Sequence, residues 1–153
     1  MPKIKLKVSV IKTKKIDLDV NHPNIVSIVR HKLYVLSNKQ LMTLAKSKNT
    51  RLKKLVARAC VSRQNRANII EYLAKDNKTV QAYIASSSNF YSKGVIEQLL
   101  KSQHISIVKY VLKMIDYCEL NNLISESKLS ELTNHKNKDI AMLAKYIYNK
   151  VLE

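Results

Sequence analysis

Glycine occurs once and proline twice in this 153-residue chain, and tryptophan does not occur. β-Sandwiches and barrels need many turns with positive φ, so a chain this poor in both residues reads as helices joined by Asn, Ser and Lys turns. A single glycine also excludes a glycine-rich phosphate-cradling loop. No apolar run reaches the ~18 residues of a membrane-spanning helix. The N-terminus is basic but lacks an apolar core of signal-peptide length, so export by that route is not expected. The only cysteines, Cys60 and Cys118, fall in apolar helical patterns and are expected to be reduced thiols of a cytosolic protein. The histidines (His22, His31, His104 and His135) are scattered, and neither a His-Glu-x-x-His nor a Cys-x-x-Cys spacing occurs, so no metal and no other cofactor is expected.

Acids are the next scarcity. Residues 1–70 hold 17 Lys and Arg but only Asp17 and Asp19, a net of +15, whereas residues 71–153 hold 11 Lys and nine acids, a net of +2. All five arginines (Arg30, Arg51, Arg58, Arg63 and Arg66) lie in the first half. Biased codon usage can fill a chain with lysine, but it does not confine the arginines and exclude the acids from one half. The asymmetry points to a polyanionic partner. Asp17 and Asp19 share a face of a strand candidate, but the neighbouring Lys14 and Lys15 account for them more simply than a metal does.

What the chain does contain is a repeat. Ala59–Asp76 lies over Ala85–Ser102 without a gap, 26 residues on, with Ala59, Ser62, Ile70, Glu71, Leu73 and Lys75 recurring as Ala85, Ser88, Ile96, Glu97, Leu99 and Lys101. A weaker copy precedes them at Ser37–Leu41 and Leu44–Ser47. A period of this size marks a stacked helical array, and the apolar 46% of the chain supplies its core. Apolar positions at helical spacing predict about nine helices over residues 21–153. Ser37 with Gln40 forms a candidate capping box, and Thr50 and Ser62 are candidate caps of the third and fourth helices. The longer helices begin near residues 24, 50, 78, 105 and 138. Ahead of them, residues 1–20 form a basic arm. Lys3 to Val10 and Ile16 to Val20 alternate in polarity, which predicts a β-like hairpin capping the array.

The stretch Leu-Ala-Lys-Asp-Asn-Lys-Thr-Val-Gln-Ala-Tyr-Ile-Ala, from Leu73 to Ala85, resembles the short HEAT-like and variant leucine-rich repeats, and Leu44–Ala57 is similar. The resemblance implies an all-α, right-handed superhelix of helix pairs with a concave binding surface. Gln81 stands where a HEAT-like unit often has arginine. The cysteine cluster that precedes some variant leucine-rich arrays is absent, so no iron–sulfur cluster is implied. Most such arrays bind proteins, and a subset, the HEAT-like alkylpurine DNA glycosylases, cradles duplex DNA. Those enzymes need stacking tryptophans and a catalytic carboxylate in the cleft. With no tryptophan here, the resemblance reaches fold and surface and not activity, so no enzyme is expected.

The candidate binding residues follow from charge and helical spacing. Arg51, Lys54 and Arg58 share one face of the third helix, with Lys53 beside them. Arg30, Lys32, Lys39, Lys46, Lys48, Arg63 and Arg66 join them if neighbouring faces align into one ridge, and Lys3, Lys5, Lys7, Lys14 and Lys15 of the arm are further contacts. Arginine suits this use because its planar fork grips two phosphate oxygens. Tyr34, Tyr72, Tyr83, Phe90 and Tyr91 are candidates for base stacking, Phe90 and Tyr91 above the others because they fall between helices. The expectation is non-catalytic nucleic-acid binding through phosphate contacts, DNA favoured over RNA, in the cytoplasm or at the nucleoid. The competing readings are an adaptor for an acidic protein and, last, a nucleic-acid-modifying enzyme. Homodimerisation through the last helix, rich in Tyr146, Ile147, Tyr148, Val151 and Leu152, stays open.

Overall fold

The computed structural model of the chain describes residues 18–61 and 67–153. Among these residues it is all-α, with nine helices and no strand. The expected hairpin lies outside the described residues, except that Leu18 and Val20 pack on the core as a turn and not as a strand.

The helices are α1 (Ile25–Lys32), α2 (Asn38–Ala45), α3 (Thr50–Val61), α4 (Ala67–Leu73), α5 (Lys78–Ala85), α6 (Lys93–Leu100), α7 (Ile105–Tyr117), α8 (Glu126–Leu132) and α9 (Lys138–Leu152). Short 3-10 turns at Ser88–Phe90 and Asn121–Leu123 precede α6 and α8. Side-chain caps start most of the helices. The Ser37 box closes with both bonds: the Gln40 N–H donates to Ser37 Oγ (3.2 Å) and the Ser37 N–H donates to Gln40 Oε1 (2.9 Å). Asn77, Ser92, Ser125 and Asn137 each accept an N–H of the turn they open. Thr50, the expected cap of α3, is that helix's first residue. The cap is Asn49, whose Oδ1 accepts from the N–H groups of Arg51 (3.1 Å) and Leu52 (3.3 Å), because the amide carbonyl reaches the orphan donors one step earlier. Ser62 lies outside the described residues.

Contacts between helices arrange them in two rows. The odd helices pack in succession, α1 on α3, α3 on α5, α5 on α7 and α7 on α9, while α2, α4 and α6 form the second row behind them. Both rows share one core that runs from Ile25 to Ile147. The 26-residue repeat is visible in burial, since Ile69, Ile70, Leu73 and Ala74 of the α4 segment and Val95, Ile96, Leu99 and Leu100 of the α6 segment are all buried. Counted from their caps, the odd helices match too. Leu52 and Val56 occupy the positions of Val80 and Ile84, of Ile107 and Val111, and of Ile140 and Ala144, all buried. Gly94 on α6 lies beside the Glu71 side chain of α4. A Cβ there would stand 2.6 Å from Glu71 Oε2, the far end of a side chain that can swing aside.

Two buried polar side chains tie one repeat to the next. Lys53 on α3 donates to Asp76 Oδ2 at 2.6 Å, with the two side chains only 11% and 15% exposed. Asp76 spends its other oxygen on the Asn77 N–H (2.7 Å). At the corresponding position of α5, Gln81 Nε2 donates to the Ala74 carbonyl (2.9 Å) and Gln81 Oε1 accepts from Ser102 Oγ (2.7 Å).

Removing one partner of the ion pair strands a charge in the interior, which costs about 3 kcal/mol. Asp76→Ala is therefore expected to lower the urea-unfolding free energy by about that amount. The double change Lys53→Met with Asp76→Asn is expected to recover more than half of the loss. Equal destabilisation of single and double variants would contradict the pairing.

Candidate nucleic-acid interface

The exposed face of α3 carries the densest arrangement of cations. Its buried stripe is Leu52, Lys53, Val56, Ala57, Ala59 and Cys60, and the opposite face presents Arg51 and Arg58 to solvent. Lys54 lies between them, half-buried, with Nζ 5.7 Å from the centroid of the Tyr83 ring on α5. That cation–π contact orients the lysine while leaving its charge in place. No acid occurs between residues 20 and 70, so α1, α2 and α3 carry no carboxylate of their own.

Lys53 leaves the exposed set. Expected beside Arg51 and Lys54 on the solvent face, it points inward, because the fourth position after the cap is an inner one in α3, α5 and α7 alike (Lys53, Gln81 and Val108). Periodicity carried that signal, and reading lysine as a surface residue hid it.

The remaining cations lie on several elements. Lys39 and Lys46 are exposed on α2, opposite its buried Leu41, Leu44 and Ala45, and α2 belongs to the other row. Lys48 is exposed in the α2–α3 turn. Arg30 and Lys32 are exposed in the last turn of α1, where cations complement the helix dipole. Arg63 and Arg66 lie outside the described residues, as do Lys3, Lys5, Lys7, Lys14 and Lys15. Along the odd row, the positions of Lys54 and Arg58 are taken by Ala82 and Ser86 on α5, by Lys109 and Lys113 on α7, and by Met142 and Tyr146 on α9. The basic face of α3 therefore gives way to an uncharged step. Beyond it, a cavity of about 450 Å³ between α7 and α9 is lined by Lys109, Lys113, Asp139, Met142, Leu143 and Tyr146. Its Asp139 accepts an ion pair from Lys109 at 2.7 Å, and that bond holds the carboxyl below its usual range.

The aromatic residues are placed differently from expectation. Phe90 is buried, with its ring centroid 5.6 Å from that of Tyr83. Tyr91 is half-buried and donates its hydroxyl to the Ala85 carbonyl at 2.7 Å. Neither is available for stacking, because the inter-helix turn that holds them folds back onto α3 and α5. Tyr34 and Tyr72 are exposed. Among the described residues no group of three or more His, Cys, Asp or Glu could hold a metal ion, and no helix is long and apolar enough to cross a membrane. Cys60 is buried and Cys118 is half-buried.

Burial, with smaller contributions from Tyr110 and Cys118 nearby, raises the Tyr91 phenol well above the tyrosine range. The unfolded phenol ionises near pH 10. A raised folded value means that stability is fully present below that pH and is lost as the pH rises through it. Between pH 9 and 11, the melting temperature of the wild type is expected to fall more steeply than that of Tyr91→Phe. Parallel profiles would show that the phenol is not the cause.

Compared with known protein families, with curated proteins and with solved structures, the chain matches none of them.

Proposed function

We propose that this chain is a non-catalytic nucleic-acid-binding protein built as a HEAT-like, right-handed superhelix, and that its primary contact is the α3 face carrying Arg51, Lys54 and Arg58. The observation that carries the reading is this exposed cationic face within a stretch, residues 20–70, that contains no acid. A face of this kind gains by releasing condensed counterions from a phosphate backbone. The guanidinium forks of Arg51 and Arg58 grip phosphate oxygens in pairs. Contacts to phosphate position a protein on nucleic acid without reading its sequence, so binding is weakly selective.

A second reading, an adaptor for an acidic protein, draws on a different surface. Met142 and Tyr146 are exposed beside the α7–α9 cavity, and Lys109 and Lys113 stand at the same cavity. Apolar anchors with a cationic rim suit an acidic amphipathic segment.

The two readings separate in one titration series. Purified protein, freed of co-purifying nucleic acid, is titrated with random duplex DNA, single-stranded DNA and duplex RNA at several salt concentrations. Micromolar binding with a steep salt slope is expected. Arg51→Gln, Lys54→Gln and Arg58→Gln together are expected to weaken it at every sequence tested and to reduce the slope by about two to three, roughly one per lost phosphate contact. The far-ultraviolet circular dichroism is expected to be unchanged. Unaltered affinity in the folded triple variant overturns the α3 assignment, and no binding to any of the three nucleic acids favours the adaptor.

A further inference from the structure

A polar cavity lies away from the α3 face, on the edge where the α4–α5 and α6–α7 turns meet. Its volume is about 190 Å³ and its lining is Lys75, Asp76, Gln81, Gln98, Lys101, Ser102, Gln103 and His104. At about 30 Å³ per water, that is room for about six waters, or for one tetrahedral oxyanion with part of its hydration.

The hydrogen bonds around it sort the lining into spent and unspent groups. Asp76 uses one carboxylate oxygen on Lys53 and the other on the Asn77 N–H, so its charge is already matched. Gln81 uses its amide nitrogen on the Ala74 carbonyl and its amide oxygen on Ser102. Ser102 Oγ also accepts the His104 N–H at 3.1 Å. The side-chain acceptors of Asp76, Gln81 and Ser102 are thus engaged by the fold. Among the described residues, Lys75 and Lys101 have no carboxylate within ion-pair distance, and the side chains of Gln98, Gln103 and His104 make no hydrogen bond. Lysine has three donors and no acceptor, and the two amides and the imidazole each supply further N–H donors. Two lysines without a carboxylate partner among the described residues, with several N–H donors around them, suit an oxygen-rich anion.

The two lysines are not isolated. Lys75 and Lys101 are the same position of the 26-residue repeat, and Lys46 is its counterpart one unit earlier, after Leu44-Ala45. All three are exposed where an even helix ends. Because α2, α4 and α6 pack side by side, at about 8–10 Å per helix, the lysines recur along one edge at about that interval. A lysine at a helix C-terminus also complements the dipole, which accounts for the residue type. It does not account for a polar cavity between two of them, lined further by Gln98, Gln103 and His104.

We propose that this cavity seats a phosphate group, held by Lys75 and Lys101 with Gln98, Gln103 and His104 as further donors. The phosphate belongs either to a small phosphate compound or to the backbone of a strand that tracks the Lys46–Lys75–Lys101 edge. The chemistry at the cavity is the same in both cases, and the site does not depend on the α3 face.

The test is a ¹⁵N-resolved NMR titration of the full chain at constant ionic strength, with sodium phosphate in one arm and an oligothymidylate in the other. The side-chain amides of Gln98 and Gln103 and the backbone amides of Ser102 and His104 are expected to shift saturably. Lys75→Gln with Lys101→Gln is expected to weaken the effect about tenfold or more, the scale of losing charged hydrogen bonds. Lys93→Gln with Lys145→Gln removes the same charge elsewhere and is expected to leave it intact. Shifts with phosphate alone identify a small phosphate compound, and shifts with the oligonucleotide alone identify a phosphodiester. The Arg51, Lys54 and Arg58 triple variant is expected to keep the phosphate response, so failure at α3 and failure at the cavity read separately. No shift in either arm, or an equal loss in the two double variants, overturns the proposal.

Discussion

Burying the Lys53 ammonium fixes how the rest of the array stacks. Such a charge leaves water only if a carboxylate meets it in good geometry, and Asp76, 23 residues on, is that carboxylate at 2.6 Å. The pair therefore holds the turn between α4 and α5 against α3. Gln81 does the same for the following unit without a charge, reaching Ser102 in the turn between α6 and α7. Asp76 and Ser102 are the same position of the 26-residue repeat. Lys53 and Gln81 are the same position counted from their Asn caps. One tie is thus made twice with different chemistry, ionic in the first instance and amide–hydroxyl in the second. In α7 the position is Val108, which packs in the core instead. Polar ties of this kind set register more than they add stability, since two charges removed from water recover little beyond their desolvation cost.

The tie also shapes the outer surface. Four ion pairs occur among the described residues, and each draws its acid from residue 71 or later: Asp76, Asp116, Glu131 and Asp139. Lysines of the second half, such as Lys109, Lys128 and Lys150, are matched locally. Among the described residues of the first half the one such match is Lys53, and it is internal. Like charges left on α1, α2 and α3 repel one another and oppose folding, a cost that persists unless an anion offsets it. The asymmetry of charge in the sequence thus becomes an asymmetry of pairing in the fold.

Much of the architecture was legible because its signals are local. The Ser37–Gln40 box and the helix starts near 50, 78, 105 and 138 follow from spacing within one or two turns, and the equivalence of the α4 and α6 segments follows from the 26-residue repeat. Long-range choices were not legible. Periodicity put Lys53 on the inner side, but the partner that makes a lysine tenable there is a carboxylate 23 residues away. Phe90 and Tyr91 read as exposed because they sit between helices, yet the turn that holds them folds back on Tyr83 and Ala85. The candidate site was legible in part. The shared face of Arg51, Lys54 and Arg58 is a property of one helix, whereas the separation of Lys39 and Lys46 from it depends on which row α2 joins.

The placement of the aromatic rings narrows what the α3 face can do. Single-strand binding modes combine a cationic groove with rings on which successive bases stack, each worth about 1–3 kcal/mol. Tyr83 is the aromatic ring recorded in contact with a cation of this face, and it is engaged twice, by Lys54 above it and by Phe90 beside it. Lys54 thus occupies a position over the ring that a base would need. In the proposed function, affinity at α3 comes from phosphate, and the arginines sharpen the point. A chain rich in lysine through compositional bias acquires lysines on every surface, and this one has them on both rows. Arginine is confined to the first half, and Arg51 and Arg58 flank the lysine that is already fixed over Tyr83. Two rigid forks on either side of an oriented point charge form a grip suited to a backbone and indifferent to its bases.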